Sequence, residues 1–249
     1  MANFAKGDNY GSGTVDTVDP YVFQRVTYEE TAGGSHFDVG WIYIEENAAR
    51  GGADPMSLLD IYYTSTYYDP PPAHPVDFEV SGYGTVGSDE CLVEGFYHWH
   101  GGQTHRSYIY YQYQFDNPNA RELRGFSDGF RVVSPYNGIQ LVDAGSATGT
   151  SANPSATTSS LPANCLIVAA IAHAYRNTPT PGSGYSSGIS YDSGNWTFLE
   201  EYILDTGAAG TKTVDFVCNA DNWGFIWMAF QATQSGVAVP VLDKRRRRV

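Results

Sequence analysis

The feature that most constrains this sequence is a run of eight apolar residues, Cys165 to Ala172 (CLIVAAIA), between two sets of chain breakers. Pro162 and Asn164 precede the run, and a tract rich in Pro, Gly and Ser follows it from about Asn177. A short apolar run between breakers is typical of a buried strand, although periodicity alone does not separate it from a buried helix. We therefore predict a buried strand here.

A second run has the composition of a matching strand. Asn222 to Ala232 (NWGFIWMAFQA) is dense in aromatic and branched side chains, which favour a packed sheet. We predict that both runs are central strands of one β-sandwich, and that Trp227 belongs to its core.

The composition supports an all-β chain. Nineteen Tyr, 27 Gly and 13 Pro beside three Met favour many short strands joined by tight turns. The chain has 249 residues, enough to bury a substantial core as one large domain or two smaller ones. Charged residues make up 16%, below the ~25% of an average domain, so hydroxyl and amide groups must cover much of the surface.

The order of apolar segments and loops occurs twice: strand, long loop, strand, tight turn, strand, short loop, strand. We therefore predict an all-β, jelly-roll-like antiparallel β-sandwich built of two related four-stranded halves, at about 19–133 and 134–235. An extended N-terminal arm (1–18) precedes the sandwich, and a basic tail (236–249) follows it. Within the first half, residues 121–126 are the one predicted short helix or turn. Residues 143–160 fit either an interdomain linker or a strand with a long loop.

Charge and cysteine usage limit the classes of partner. The net charge is −13 and residues 244–248 contribute +5, so the rest of the chain carries −18. We expect so acidic a body to repel nucleic acid and anionic membrane. Three cysteines without close spacing predict buried thiols rather than a disulfide framework. No apolar stretch approaches the ~18 residues of a membrane span, and the first residues lack the apolar core of a signal peptide.

Several segments of the second half together resemble a known module. They are YNGIQLVDAGSATGT (136–150), PANCLIVAAIAHA (162–174), GNWTFLEEY (194–202), DTGAAGTKTVDF (205–216) and NWGFIWMAFQ (222–231). This succession resembles a β-sandwich module of tailed-bacteriophage virion proteins, found on tail fibres, tail tips and head surfaces. The likeness covers residues 120–232, and 58–115 more loosely. It implies a role in virion structure without fixing the position on the particle.

Three histidines form the sharpest candidate metal site. His98 and His100 share one face of a predicted strand because side chains alternate, and His105 follows in the next turn. Three imidazoles could hold a divalent metal. The alternative is that they are solvent-facing or hydrogen-bonded histidines, and we expect no metal and no other cofactor.

Tyrosines and the basic tail are the candidate contact residues. Flat aromatic rings with hydroxyls can stack on sugars or fill a protein interface, and they also pack across strands. The candidates are Tyr62, Tyr63, Tyr67, Tyr68, Tyr111 and Tyr113. The tail residues Lys244, Arg245, Arg246, Arg247 and Arg248 are either a solvated charge run or an anchor on the acidic surface of a partner.

No catalytic residue is predicted. GYSSG (184–188) matches the pattern of a nucleophilic serine turn, but no helical pattern follows it. Glu200 and Glu201 occupy opposite faces of a predicted strand, so they are not the opposed pair of a glycosidase, and we expect most carboxylates to be solvated.

These features lead to one main expectation and two alternatives. We expect a non-enzymatic accessory protein of a tailed phage virion, assembled in the host cytoplasm and exposed on the capsid or tail surface of the extracellular particle. Its partners would be other virion proteins and copies of itself. The alternatives are a glycan- or receptor-binding module of a tail fibre or tail tip, and a glycoside hydrolase on the same sandwich.

Overall fold

A computed structural model of the chain describes a protein made of strands. It describes residues 2–9, 13–15, 21–29, 35–46, 57–64, 78–86, 89–101, 106–114, 120–174, 178–194 and 196–234. Within these ranges no segment is helical, and hence none is a helix long and apolar enough to cross a membrane. The prediction of an all-β sandwich is confirmed.

Nine strands lie in the described part of the first half of the chain. They are β1 (Phe4–Asn9), β2 (Gly13–Val15), β3 (Tyr21–Glu29), β4 (Ser35–Glu46), β5 (Ser57–Thr64), β6 (Phe78–Val86), β7 (Asp89–Gly101), β8 (Arg106–Gln114) and β9 (Ala120–Val132).

Eight strands lie in those residues of the second half that the structure describes. They are β10 (Gly138–Gly149), β11 (Ser155–Thr157), β12 (Leu166–His173), β13 (Thr180–Pro181), β14 (Ser186–Asp192), β15 (Thr197–Ile203), β16 (Thr213–Val217) and β17 (Trp223–Thr233).

The two halves repeat one strand order. The main sheet of the first half runs β1-β9-β4-β7-β6, with β2 also paired to β9, and that of the second runs β10-β17-β12-β15-β14. Each half also has a three-stranded sheet, β3-β8-β5 and β11-β16-β13. With β2 set aside, every strand of one half has a counterpart at the same place in the other. The described strand pairings are antiparallel. Each half contains more strands than the four that the sequence predicts.

The main sheets of the two halves pack face to face around a shared core. Phe37, Trp41 and Phe126 of the first half lie in one apolar cluster with Phe198 and Phe230 of the second. The rings of Phe126 and Phe198 stack with centroids 4.4 Å apart. This contact across the interface joins the halves.

The opposite face of the second main sheet is also covered. Ile167, Ile171 and Phe225 pack there against Val214 and Phe216 of the three-stranded sheet. The second main sheet is therefore the middle of three layers. This explains the apolar run: all eight residues of β12 are buried, because alternate side chains enter different cores.

Two glycines of β10 accommodate tryptophans of β17. Gly145 pairs with Trp227 and Gly149 with Trp223. A Cβ at either glycine would lie 2.5 Å from a ring carbon of the paired indole. The indoles therefore lie over the glycine backbone, and Trp227 is buried with 8% exposure, which confirms its predicted place in the core.

Three expectations need correction or comment. Residues 121–126, predicted as a helix or turn, lie in β9, where pairing with β4 on one side and β1 and β2 on the other overrides local preference. The predicted arm 1–18 contains β1 and β2, and Phe4 belongs to the core. The segment 143–160 contains the end of β10 and all of β11.

Candidate functional site

Three ionisable side chains meet in the apolar space between the two main sheets. Lys6 lies on β1, Asp128 on the adjacent β9 and Glu200 on β15 of the opposite sheet. We call these three residues the buried triad. Alternation along each strand explains the position. Asp128 falls between the inward Phe126 and Phe130, and Glu200 falls between Phe198 and Tyr202.

Lys6 and Asp128 are in direct contact. The Nζ of Lys6 meets Oδ2 of Asp128, whose side chain is fully buried. The register between β1 and β9 shifts just past Lys6, which pairs with Phe130. Asp128 lies two residues from Phe130 on β9, so the side chains of Lys6 and Asp128 are diagonal neighbours on one face of the sheet.

Aromatic rings enclose the amine of Lys6. Nζ lies 4.5 Å from the ring centroid of Phe130 and 5.0 Å from that of Tyr202. The side chain keeps 18% exposure, but Nζ itself is buried. The stem therefore reaches inward from the sheet edge, and the reactive end is withdrawn from water.

Glu200 is held in place from both sheets. Its Oε2 accepts a hydrogen bond of 2.6 Å from Nε1 of Trp41 on β4. Gly188 on β14 leaves room for the carboxyl, since a Cβ there would lie 2.6 Å from Oε1. Glu200 is fully buried, and its Oε1 has no hydrogen-bond partner among the described residues.

Burial favours the neutral forms of the amine and of this carboxyl. Desolvation lowers the pKa of Lys6, and the charge of Glu200 partly offsets that. Desolvation likewise raises the pKa of Glu200, while Lys6 and the Trp41 hydrogen bond act in the opposite direction. The site therefore combines an unusually easily deprotonated amine with an unusually easily protonated acid.

The other face of β15 carries a second buried acid. Glu201 accepts a hydrogen bond of 2.8 Å from the backbone N–H of Gly182. Desolvation raises the pKa of Glu201 to about 8, and the nearby Asp215 adds to the rise. The prediction that the two glutamates face opposite sides is confirmed, but for these two the expectation of solvated carboxylates is wrong, since both are fully buried.

A pocket of about 430 Å³ lies close to Glu201. Tyr185, Lys212 and Asp215 line it together with hydroxyl and isoleucine side chains. The Tyr185 hydroxyl donates to the carbonyl oxygen of Thr213 at 3.0 Å. Burial, followed by the charges of Glu201 and Asp215, raises the pKa of Tyr185, so it stays a neutral phenol. The pocket thus offers an aromatic face, hydroxyls and one charge of each sign.

The cysteines with described side chains are free thiols. Cys165 is buried and its Sγ donates to the carbonyl oxygen of Pro162 at 3.3 Å. Burial raises its pKa to about 11 and also raises that of the half-buried Cys218. Thiols held neutral in this way are poor nucleophiles, in accord with the predicted buried thiol at Cys165.

The structure places the backbone of several predicted contact residues. Tyr62 and Tyr63 on β5 pair with Tyr110 and Ile109 of β8. Tyr111 and Tyr113 also lie on β8, the middle strand of that three-stranded sheet. Tyr67, Tyr68 and the tail residues 244–248 lie outside the described residues, so the predicted contact surface and anchor remain predictions.

The predicted histidine site is described only in part. His98 and His100 lie on β7, with His98 paired to Asp38 of β4, and His105 lies outside the described residues. Within the described part of the chain, no group of three or more His, Cys, Asp or Glu side chains is arranged to hold a metal.

Sequence reasoning missed the buried triad. The sequence does contain a signal for two of its members, namely a single charged residue at an inward position of an otherwise apolar strand face. These residues are Asp128 in FSDGF and Glu200 in FLEEY. Lys6 gives no comparable signal, because the segment around it has no apolar alternation. Comparison of the chain with protein-family models, with curated proteins and with solved structures finds no match.

Proposed function

We propose that this chain is a non-enzymatic structural protein of a tailed bacteriophage virion, displayed on the capsid or tail surface. The observation that supports this proposal is the repeated strand order of two halves whose main sheets share one core. The larger of the apolar clusters described lies between the two main sheets and contains side chains from both halves. The result is a rigid double unit of the kind that a display or assembly role requires.

The strand order also supports a particular fold for each half. Counted within each half with β2 set aside, the main sheet has the order first, last, third, sixth and fifth, and the smaller sheet has the order second, seventh and fourth. The pairs first–last, third–sixth and second–seventh support a jelly roll, an architecture of viral capsid and lectin domains, while the fifth strand extends the main sheet and does not pair with the fourth. We infer that each half is a jelly-roll unit. The chain would then be a tandem pair of eight-stranded units, with β2 as an addition to the first.

We assign the attachment of this protein to the virus particle to its basic tail. Residues 244–248 carry +5 in a chain whose other residues carry −18. The tail is thus complementary to the acidic surface of a neighbouring copy or of another virion protein. Residues 4–9 are less suited to attachment because they pair with β9 within the chain.

Particles that lack this protein provide the test. Purified full chain, or a chain without residues 244–248, is added to such particles, and occupancy is measured by cryo-electron microscopy. We expect the full chain to decorate the particle and the truncated chain to fold identically but bind much less. A control chain with all five basic tail residues replaced by Gln separates charge from length. Absence of the full chain from purified virions would refute the proposal.

Glycan binding is a second candidate function, and the pocket beside Glu201 is the observation that favours it. Tyr185 offers a ring for stacking on a sugar, and Asp215 with nearby hydroxyls can accept and donate hydrogen bonds to sugar hydroxyls. Host surface polysaccharide would be titrated against the wild type and Tyr185→Ala, with Tyr136→Ala as a control outside the pocket. Loss of binding only in Tyr185→Ala would support the pocket. Polysaccharide cleavage that Glu201→Gln abolishes would indicate a glycoside hydrolase instead.

A further inference from the structure

The buried triad has the composition and arrangement needed to form a bond between side chains. The amine of Lys6 touches the carboxyl of Asp128 and is flanked by two aromatic rings. The carboxyl of Glu200 is close enough for its charge to act on that amine, and both acids are fully buried. We propose that Lys6 and Asp128 become joined by an intramolecular isopeptide bond, with Glu200 carrying the proton. Nothing in this proposal depends on where the protein is displayed.

An ordinary buried ion pair explains the site less well. Buried ion pairs are favourable when further hydrogen bonds satisfy the remaining donors and acceptors. Apart from their mutual contact, neither Nζ of Lys6 nor either carboxyl oxygen of Asp128 has a hydrogen-bond partner among the described residues. An amide is neutral, and it leaves only one N–H and one carbonyl oxygen to satisfy. The covalent state therefore suits this apolar site better than the charged one.

The bond forms by loss of water. One proton passes from the ammonium group of Lys6 to the carboxylate of Asp128, which leaves a neutral amine against a neutral carboxylic acid. The amine then attacks Cγ of Asp128, and the new C–N bond gives a tetrahedral carbon. Glu200 donates its proton to the departing hydroxyl of Asp128, which leaves as water, and takes one proton from Nζ. The products are one amide and one water molecule, and Glu200 ends in the protonation state in which it began. No oxidant, reductant or other reactant is needed.

The surroundings favour each part of this reaction. The fold holds amine and carboxyl in contact, which replaces a bimolecular encounter by a local step. The lowered pKa of Lys6 increases the fraction of free amine, and the raised pKa of Glu200 keeps an acid available near neutral pH. The apolar enclosure excludes the water that would reverse the reaction.

The position of the bond gives it a mechanical consequence. β1 is an edge strand of its sheet, paired with β9 on one side. A covalent link from Lys6 to Asp128 fastens this edge strand to the last strand of the first half. Force applied at the N-terminal end would then pass into β9 without unzipping β1.

Mass spectrometry of the denatured full chain tests the proposal. We expect the wild type to be lighter than its sequence by one water molecule. A tryptic digest should contain residues 1–25 linked to residues 125–131 (GFSDGFR), with Lys6 uncleaved. Lys6→Arg and Asp128→Ala should each have the full mass of their sequence. Lys212→Arg, which changes a lysine outside the triad, should still lose one water.

Two further variants sharpen the result. Asp128→Asn should form the same amide by loss of ammonia, so its final mass should equal that of the linked wild type. Glu200→Gln keeps an acceptor for Trp41 but cannot exchange a proton, so it should link at least tenfold more slowly. Linking of Glu200→Gln at the wild-type rate would refute the role of Glu200.

One chemical alternative also loses water. Asp128 precedes Gly129, and an Asp-Gly pair can cyclise to a succinimide. A succinimide would leave residues 125–131 as a separate, lighter peptide and would persist in Lys6→Arg. That result would overturn the proposal. So would a wild type that keeps its full sequence mass after folding and incubation from pH 6 to 9.

Discussion

The indole nitrogen of Trp41 donates a 2.6 Å hydrogen bond to Oε2 of Glu200, joining side chains 159 positions apart across the interface of the two halves. Both side chains are fully buried. The bond satisfies the single donor of the indole and one oxygen of the acid. It also lowers the pKa of Glu200 against the larger effect of burial. The interface of the halves thus contains a proton-binding site.

We expect Trp41→Phe to lower the free energy of unfolding by about 1–3 kcal/mol, because Oε2 loses its donor inside the protein. The loss should be larger at pH 8 than at pH 5, since the ionised carboxylate depends more on that donor. Denaturant unfolding at both pH values measures it. Trp223→Phe is the matched control, because Nε1 of Trp223 donates to the carbonyl oxygen of Ser151, which does not titrate. Equal losses at the two pH values for Trp41→Phe would contradict the prediction.

Stability should fall as the pH rises from about 4.5 to about 8. The pKa of Glu201 is raised from 4.5 in the unfolded chain to about 8. A raised pKa gives stability that is fully present below the unfolded value and is lost as pH rises through the folded value. The pKa of Glu200 is shifted in the same direction. Glu201→Gln removes one titration and keeps an acceptor for Gly182, so its melting temperature should decline less between pH 5 and 8.5. An unchanged slope would show that Glu201 is not protonated in the folded state.

The main features of the fold could be predicted from the sequence because they rest on local patterns. The apolar run at β12 and the aromatic run at β17 show their burial directly, and they are adjacent strands of the middle sheet. Strands without such a pattern were missed. β14 is mostly exposed, within a segment that the sequence predicts as a loop, and it forms because β15 offers an edge. The sheet β11-β16-β13, which covers the outer face of the middle sheet, could not be predicted from the sequence. Two of its strands are only three and two residues long, and strands that short leave no periodic pattern.

The candidate site was hidden for a different reason. Its members lie at positions 6, 128 and 200, and no spacing rule links residues so far apart in the chain. What brings them together is the pairing of β1 with β9 and the packing of the two main sheets. Alternation correctly predicted that Glu200 and Glu201 face opposite sides. It could not tell that both sides are covered, because that depends on the three-layer arrangement.

Gly145 should tolerate no side chain. Its neighbour across the strands, Trp227, places ring carbons where a Cβ would stand, and Nε1 of the same indole donates to Oδ2 of Asp143 at 3.0 Å. Gly145→Ala should therefore displace the indole and lower the melting temperature, while Ser146→Ala, at the adjacent exposed position, should not. Near-ultraviolet circular dichroism would report the change in the indole environment. Wild-type spectra and stability in Gly145→Ala would contradict this packing.

Truncation of Trp227 measures how much the core between the middle sheet and the sheet β11-β16-β13 contributes to the stability of the protein. Trp227→Ala removes a buried indole and should lower the free energy of unfolding by about 3–5 kcal/mol. Asp143→Asn keeps an acceptor for Nε1 and should cost much less. Denaturant titration of both variants gives the comparison. A Trp227→Ala curve that coincides with the wild type would place the ring at the surface.

The isopeptide bond should be visible in unfolding as well as in mass. Linked wild type and freshly folded Glu200→Gln that mass spectrometry shows to be still unlinked have nearly the same folded contacts, but in the linked chain a closed loop from Lys6 to Asp128 persists after unfolding. By analogy with a disulfide that closes a loop of about 100 residues, the link should add about 4–5 kcal/mol to the free energy of unfolding. It should also lower the denaturant m-value, because the linked unfolded chain exposes less surface. Asp128→Asn, which can still form the amide, should behave like the wild type and serves as the positive control. Were wild type and Glu200→Gln to share both the midpoint and the m-value, the first half would be held by non-covalent contacts alone.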